Sequence, residues 1–131
     1  MAEDSFMKGM VQALANMAGE QRKTMLTDKM KSFAKMSENE RFAAMRSMLV
    51  AALDLPDEKY MNIAKTRTSV MMSLQQNEME TLMKSHIQIV NDLPDDLKKK
   101  EMMAMKGIML SLPDQQRENM KKMLSGLGMP L

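Results

Sequence analysis

The chain has 131 residues and a net charge of +2, and 44% of its residues are hydrophobic while 27% are charged. This length and composition fit one globular domain with a single core, and they exclude an intrinsically disordered chain. Basic and acidic residues are mixed along the whole sequence, so no strong field favours nucleic acid or an anionic membrane as a partner. Because Cys is absent, disulfides, thiolate metal sites and thiol nucleophiles are excluded as well.

Methionine dominates the apolar residues, with 21 Met against three Phe, one Tyr and no Trp. Flexible thioethers and aliphatic chains must therefore fill the core, which predicts adaptable packing. The amino terminus is acidic where a secretory signal is basic, and the longest purely apolar run covers only residues 48–53. A membrane span needs about 20 apolar residues, so we expect a cytoplasmic protein without one.

A repeat of 19 residues organises the chain from residue 18 onward. The six blocks begin at Ala18, Ser37, Pro56, Gln75, Pro94 and Pro113, and they end at Met36, Leu55, Leu74, Leu93, Leu112 and Leu131. Three boundaries read Leu-Pro-Asp, which combines a Pro tolerated in the first helical turn with an acid favoured by the helix dipole. At another boundary Ser37 and Glu40 have the spacing of a capping box. The boundaries therefore predict helix starts.

Apolar residues recur three or four positions apart before the first boundary and within the blocks, as one buried helical stripe requires. The predicted stripes contain Phe6, Met7, Met10, Leu14 and Met17; Met25, Leu26, Met30 and Phe33; Met45, Met48 or Leu49, Ala52 and Leu55; Leu82, Met83, Ile87 and Val90; and Met102, Met105, Met109 and Leu112. This pattern predicts seven helices of about 12 to 16 residues each. We expect breaks close to residues 17–20, 36–38, 54–57, 74–77, 92–95 and 111–114.

Pairs of blocks match better than single blocks, since comparing 37–74 with 75–112 aligns Asn39 with Asn77 and Ser47 with Ser85. The predicted unit is therefore a helical hairpin of 38 residues, and its short connections make neighbouring helices nearly antiparallel. We expect an all-α single domain over 1–131, in which the hairpins stack as an α-solenoid-like array or close into a bundle. Two Gly and a Pro near the carboxy terminus predict a helix end near Leu124 and a flexible apolar tail over 125–131.

Catalytic and metal-binding patterns are sparse. His86 is the single His, so zinc clusters of His and Cys and nucleophilic triads cannot be assembled in one chain. The five Gly residues form no phosphate-binding loop. Acidic neighbours at the block boundaries are accounted for by helix dipoles, and the basic runs 98–100 and 121–122 are flanked by acids as on solvated faces. We therefore predict no enzyme activity, no cofactor and no nucleic-acid partner.

Arg67 and Thr68 interrupt an apolar column, because the preceding block carries Met48 and Leu49 there and the following block carries Ile87. His86 occupies the position equivalent to Arg67 one block later. If Arg67 finds a carboxylate within the chain, it is a structural residue. If it lines a groove with Lys65 and His86 instead, it is a candidate for holding an acidic group of a partner.

Two adjacent methionine pairs complete the candidate site, because neighbouring residues on a helix cannot both face one core. The predicted partner-binding residues are Lys65, Arg67, Met71, Met72, His86, Met102 and Met103. The leading hypothesis is a non-enzymatic interaction module that binds an amphipathic helix or tail, or a second copy, in a Met-rich apolar groove. The alternative is a carrier or sensor of a small apolar ligand, or of a soft metal such as Cu(I), between Met-lined helices.

Overall fold

The computed structural model describes the backbone of residues 2–127 and side chains from Ser5 onward. Within this part of the chain every regular element is an α-helix. The seven helices are α1 (Ala2–Asn16), α2 (Gly19–Lys35), α3 (Glu38–Leu53), α4 (Asp57–Ser73), α5 (Gln76–Asp92), α6 (Asp95–Ser111) and α7 (Asp114–Gly126). The predicted all-α class with seven helices is confirmed. No helix in the described range combines the length and apolar character needed to cross a bilayer.

All six helix breaks fall within the predicted windows, because the residues at the boundaries stop and start helices locally. The hydroxyl oxygen of Ser37 accepts a hydrogen bond from the Glu40 amide at 3.4 Å. The three boundary Pro residues are N-caps, and acids occupy the first turn that follows each of them: Asp57 and Glu58 after Pro56, Asp95 and Asp96 after Pro94, and Asp114 after Pro113. The last helix continues to Gly126, two residues beyond its expected end, and residues 128–131 of the predicted tail lie outside the described range.

A basic side chain ties several turns to the preceding helix. Arg22, Arg41 and Arg117 each stand at the fourth residue of their helix. Each guanidinium donates to carbonyl oxygens at the end of the helix before, for example Arg22 to Leu14 O at 2.8 Å and Arg117 to Leu112 O at 3.0 Å. These bonds satisfy carbonyls that a helix end leaves without an intrahelical partner.

The helices stack in chain order. Contacts join helices two places apart in chain order, extensively in the pairs α1–α3, α2–α4 and α3–α5 and less so in α4–α6. Every other extensive contact among the described residues joins helices one or three places apart, as expected for stacked hairpins. The series thins at α4–α6 and does not continue to α5–α7, since among the described residues α7 contacts chiefly α6, and over a small area. This interruption sets the location of the candidate site.

One apolar core runs through the array, and most methionines contribute to it. Six of the described methionines are buried: Met30, Met45, Met48, Met71, Met83 and Met109. Met25, Met72 and Met103 are exposed, and the remaining methionines that pack on the core are half-buried. Methionine enrichment is therefore mainly a packing feature, and exposed thioethers are few.

Three of the predicted stripes differ from the observed buried faces. In α2 the difference is Met25, which is 46% exposed while Leu26, Met30 and Phe33 are buried. In α1 the buried side chains are Val11, Leu14 and Ala15, whereas Phe6 is 71% exposed. At about 100° per residue Phe6 lies opposite Ala15, so it cannot share that face. In α6 the buried face is rotated by about one residue from the predicted stripe, and it contains Glu101, Ala104, Ile108 and Met109.

Candidate functional site

An open groove lies between the start of α5 and α7, two helices that make no extensive contact with each other. Its apolar walls come from the end of α4, the start of α5 and α7, and we call it the methionine groove. The residues that define it are Met71, Met72, Met79, Met120, Met123 and Leu127. Its rim is polar and carries Gln76, Glu80, Gln116, Asn119 and Lys122. Thioethers from three helices therefore face one open surface.

The sequence of α7 accounts for the loose packing at this end. Only Leu124 of this helix is buried, while Met120, Met123 and Leu127 are half-buried. These four residues form one narrow stripe on a helix whose other positions are polar or charged. Less apolar area drives α7 onto the array than drives the other helices, because the stabilisation scales with the apolar area removed from water. The groove is the space that remains.

A small inner cavity lies behind the groove. It has a volume of about 50 Å³ and shares Met71 and Met120 with the groove, so these two side chains form the partition between them. Its wall consists of Arg67, Thr68, Met71, Met83, His86, Met105, Ile108, Met109, Leu112, Met120 and Leu124. Most of these side chains are apolar, and they come from α4, α5, α6 and α7.

A buried charged cluster joins α4, α5 and α6 beside the cavity. Glu101 of α6 is completely buried, and its Oε2 lies 3.2 Å from Arg67 Nη2 and 2.7 Å from His86 Nε2. Tyr60 donates its hydroxyl hydrogen to Glu101 Oε1, and Arg67 Nη1 donates to the Tyr60 hydroxyl oxygen at 3.3 Å. The Arg67 side chain retains 18% exposure. One carboxylate therefore holds three helices together.

The surroundings keep this carboxylate ionised. Burial raises the pKa of Glu101, but the charge of Arg67 and the contacts with His86 and Tyr60 outweigh burial and lower the pKa to about 2. The pKa of the Tyr60 phenol is shifted well above its usual value, first by burial and then by the neighbouring Glu101, although Arg67 opposes the shift. Tyr60 therefore remains a hydrogen-bond donor to a charged Glu101 at neutral pH.

The cluster decides between the two interpretations of Arg67 and His86. Both side chains contact a carboxylate of the same chain. Binding an external acidic group would require an Arg67 without an acidic partner in the chain, and this condition is not met. Lys65 is exposed and lines neither the groove nor the inner cavity. It lies in a neighbouring depression that also includes Met72. The proposed cationic groove of Lys65, Arg67 and His86 is therefore not formed.

The two methionine pairs divide as expected but lie in different places. Met71 is 5% exposed and Met72 is 37% exposed, and both line the methionine groove. Met102 is half-buried and Met103 is 66% exposed, and neither lines the groove or the inner cavity. The structure thus brings together Met71 and Met72 at the groove, and Arg67, His86 and Met71 at the cavity, while Met102 and Met103 are separate.

Sequence reasoning missed Glu101, Tyr60 and the α7 side of the groove. A usable signal was present for Glu101, because positions 19 residues apart place it in a column with Ile63 and Leu82. A carboxylate in an apolar column is the same kind of interruption as Arg67. The pairing itself could not be read, since the 19-residue repeat aligns positions and does not identify contacts between them.

Neither a metal-ligand cluster nor a relative supplies an assignment. Among the side chains that the structure describes, no three or more His, Cys, Asp or Glu are grouped to hold a metal ion. Comparison with protein-family models, with curated proteins and with solved structures gives no match.

Proposed function

We propose that this chain is a non-enzymatic helical interaction module, and that the methionine groove binds an amphipathic helix of another protein. One observation carries the proposal. The groove occupies the place where the packing series of the array positions a helix, since α5 lacks the extensive contact with α7 that would follow α3–α5 and α4–α6. A helix of a partner that enters the groove would pack on α5 and α7 as the helices of the array pack on one another.

The side chains of the groove specify the chemistry of this partner helix. Methionine has three rotatable bonds and a polarisable sulfur, so a Met-lined wall can adjust to different apolar side chains. The rim carries one acid, Glu80, and one base, Lys122, among the amides of Gln76, Gln116 and Asn119. Such a rim does not select a strongly charged partner. We expect a helix with apolar residues at i, i+3, i+4 and i+7 and mostly uncharged flanks.

The inner cavity does not favour the alternative of a small apolar ligand. Its volume of about 50 Å³ is well below the roughly 300 to 1,000 Å³ of pockets that enclose organic ligands. The outer groove, at about 820 Å³, is far larger than this cavity and is lined by thioethers from three helices.

A peptide-binding experiment tests the proposal. The probes are a fluorescein-labelled helical peptide of about 17 residues with Leu at i, i+3, i+4 and i+7, and a scrambled peptide of the same composition without the stripe. Fluorescence anisotropy measures their affinities for the wild-type protein, for Met72→Glu in the groove and for Met103→Glu as the matched exposed control. We expect the striped peptide to bind more tightly, and Met72→Glu to weaken it at least about tenfold, or about 1.4 kcal/mol.

Three results would overturn the proposal. Equal affinity for the striped and scrambled peptides would remove the helical requirement. Equal weakening by Met72→Glu and Met103→Glu would show that the groove is not the binding site. Self-association of the wild-type protein that Met72→Glu abolishes, measured by analytical ultracentrifugation, would identify a second copy as the occupant in place of another protein.

A further inference from the structure

We infer that the inner cavity is a binding site for a soft monovalent cation of the Cu(I) type, held by methionine thioethers behind the groove. Five methionines line this cavity and come from four successive helices: Met71 from α4, Met83 from α5, Met105 and Met109 from α6, and Met120 from α7. Thioethers are soft ligands that suit Cu(I), and they bind without losing a proton. The wall of this one cavity therefore offers five potential ligands of a single chemical kind.

The size of the cavity restricts the occupant. A volume of about 50 Å³ holds one ion or a water molecule, whereas an apolar cavity needs about 150 Å³ to take a ligand as small as benzene. Water requires two to four polar partners, and the wall of this cavity is mostly apolar. A small ion bound by the thioethers of the wall fits this volume and needs no other polar partners.

Charge selects a monovalent ion. Thioethers are neutral, so they do not offset the charge of a bound metal. Arg67 lines the cavity, but its charge is matched by the carboxylate of Glu101 at 3.2 Å. The same carboxylate lies 2.7 Å from His86 Nε2. Among the described residues, no carboxylate lines the cavity itself. A divalent ion would therefore be dehydrated without compensation, at a much higher cost than a singly charged ion.

A second internal cavity supplies a matched comparison. It also has a volume of about 50 Å³, lies on another side of Arg67 and His86, and is lined in part by Met30, Met45 and Met48. These three methionines are buried, and this cavity shares only Met71 with the groove wall. The inner cavity instead has the half-buried Met105 and Met120 in its wall. The exposure of these thioethers therefore distinguishes the two cavities, although both contain thioethers.

The test uses Ag(I) nitrate as a redox-inert probe and protein labelled with ¹³C at the methionine methyl groups. We expect one equivalent of Ag(I) to shift the methyl signals of the five cavity methionines, while Zn(II) shifts none of them. The variant Met105→Leu/Met109→Leu/Met120→Leu keeps the apolar volume and removes three sulfurs, so its affinity for Ag(I) should fall at least tenfold. The control Met30→Leu/Met45→Leu/Met48→Leu should bind as the wild type does.

Several outcomes would overturn the site. One is equal loss of affinity in the two triple variants, and another is a simultaneous shift of the exposed Met25 and Met103 with the cavity signals, which would mean unspecific binding. Circular dichroism confirms that each variant folds, and Met105→Leu alone is measured if the triple variant does not fold. Met72→Glu should retain Ag(I) binding because Met72 does not line this cavity, so failure of the groove and failure of the metal site are distinguishable.

Discussion

The central helices α4 to α6 and the terminal helix α7 are built from similar sequence blocks but are held in different ways. Four side chains of the charged cluster join α4, α5 and α6, and the buried faces of these helices are continuous with the core. Helix α7 buries one side chain, Leu124, and makes its main contact with α6. The comparison indicates that a repeat can combine a rigid centre with an adaptable end, and the candidate site lies between the two.

Removing the charge of Glu101 should produce the largest difference between these regions. Glu101→Gln leaves the guanidinium of Arg67 buried without its counter-ion, so we expect the free energy of unfolding to fall by roughly 3 to 5 kcal/mol. Urea denaturation measures the change. The control in α7 is Glu118→Gln, which removes an exposed ion pair with Lys121 and should leave the unfolding curve unchanged. A loss as small as that of the control would mean that the cluster does not hold the centre together.

The repeat itself suggests how to replace the cluster. The columns 19 residues away carry Met48 for Arg67, Met105 for His86 and Leu82 for Glu101. The variant Arg67→Met/His86→Met/Glu101→Leu has no buried charge left to compensate, so we expect it to be more stable than Glu101→Gln. The opposite order of the two midpoints in urea would contradict this account of the destabilisation.

Acid should weaken the centre of the molecule through the same carboxylate. The pKa of Glu101 is lowered from 4.5 to about 2 by Arg67, His86 and Tyr60 against the effect of burial. Its contribution is therefore complete above the unfolded pKa and is lost as the pH falls from about 4.5 towards 2. Urea midpoints of the wild type and Glu101→Gln should converge over this interval. A constant difference between the two curves would show that Glu101 does not titrate as described.

Truncation of a buried Leu in each region tests how closely each is packed. Leu82 of α5 and Leu124 of α7 have similar burial, at 0% and 1% exposure. Buried Leu→Ala changes cost about 2 to 5 kcal/mol, and the cost falls when the surroundings can close the cavity. We expect Leu124→Ala at the low end of this range, because α7 can shift towards the groove, and Leu82→Ala nearer the high end. Equal losses in urea denaturation would mean that α7 is as firmly packed as α5.

The smallest expected difference concerns the arginines that join consecutive helices. Arg41 donates to Met36 O and to Ser85 Oγ, both at 3.0 Å, whereas Arg117 donates to Leu112 O and pairs with the exposed Asp114. We expect Arg41→Met to cost about 1 to 2 kcal/mol and Arg117→Met about half as much. Thermal melts of both variants check the order, and a larger shift for Arg117→Met would reverse the comparison.

Local signals made the helix boundaries predictable, whereas the buried faces and the site depend on distant contacts. Pro56, Pro94 and Ser37 act on their own turns, so the sequence alone locates the breaks. The burial of Glu101 depends on Arg67, which stands 34 positions earlier on another helix. A rule that assigns only apolar residues to the buried stripe of a helix predicts that such a carboxylate faces solvent. The groove likewise follows from the total apolar area of α7 compared with that of its neighbours, which no single motif expresses.

Stacking in chain order has a consequence for how the molecule folds. Since the main contacts in the described range join helices at most three places apart, none of them closes a loop over the whole chain, and the loss of chain entropy on closing each one is limited. Such low contact order is typical of proteins that fold rapidly. Each helix is then stabilised mainly by its neighbours in the array. Helix α7 can therefore open and close while the preceding hairpins stay folded. Helix docking would thereby be coupled to a local folding equilibrium at one end of the chain.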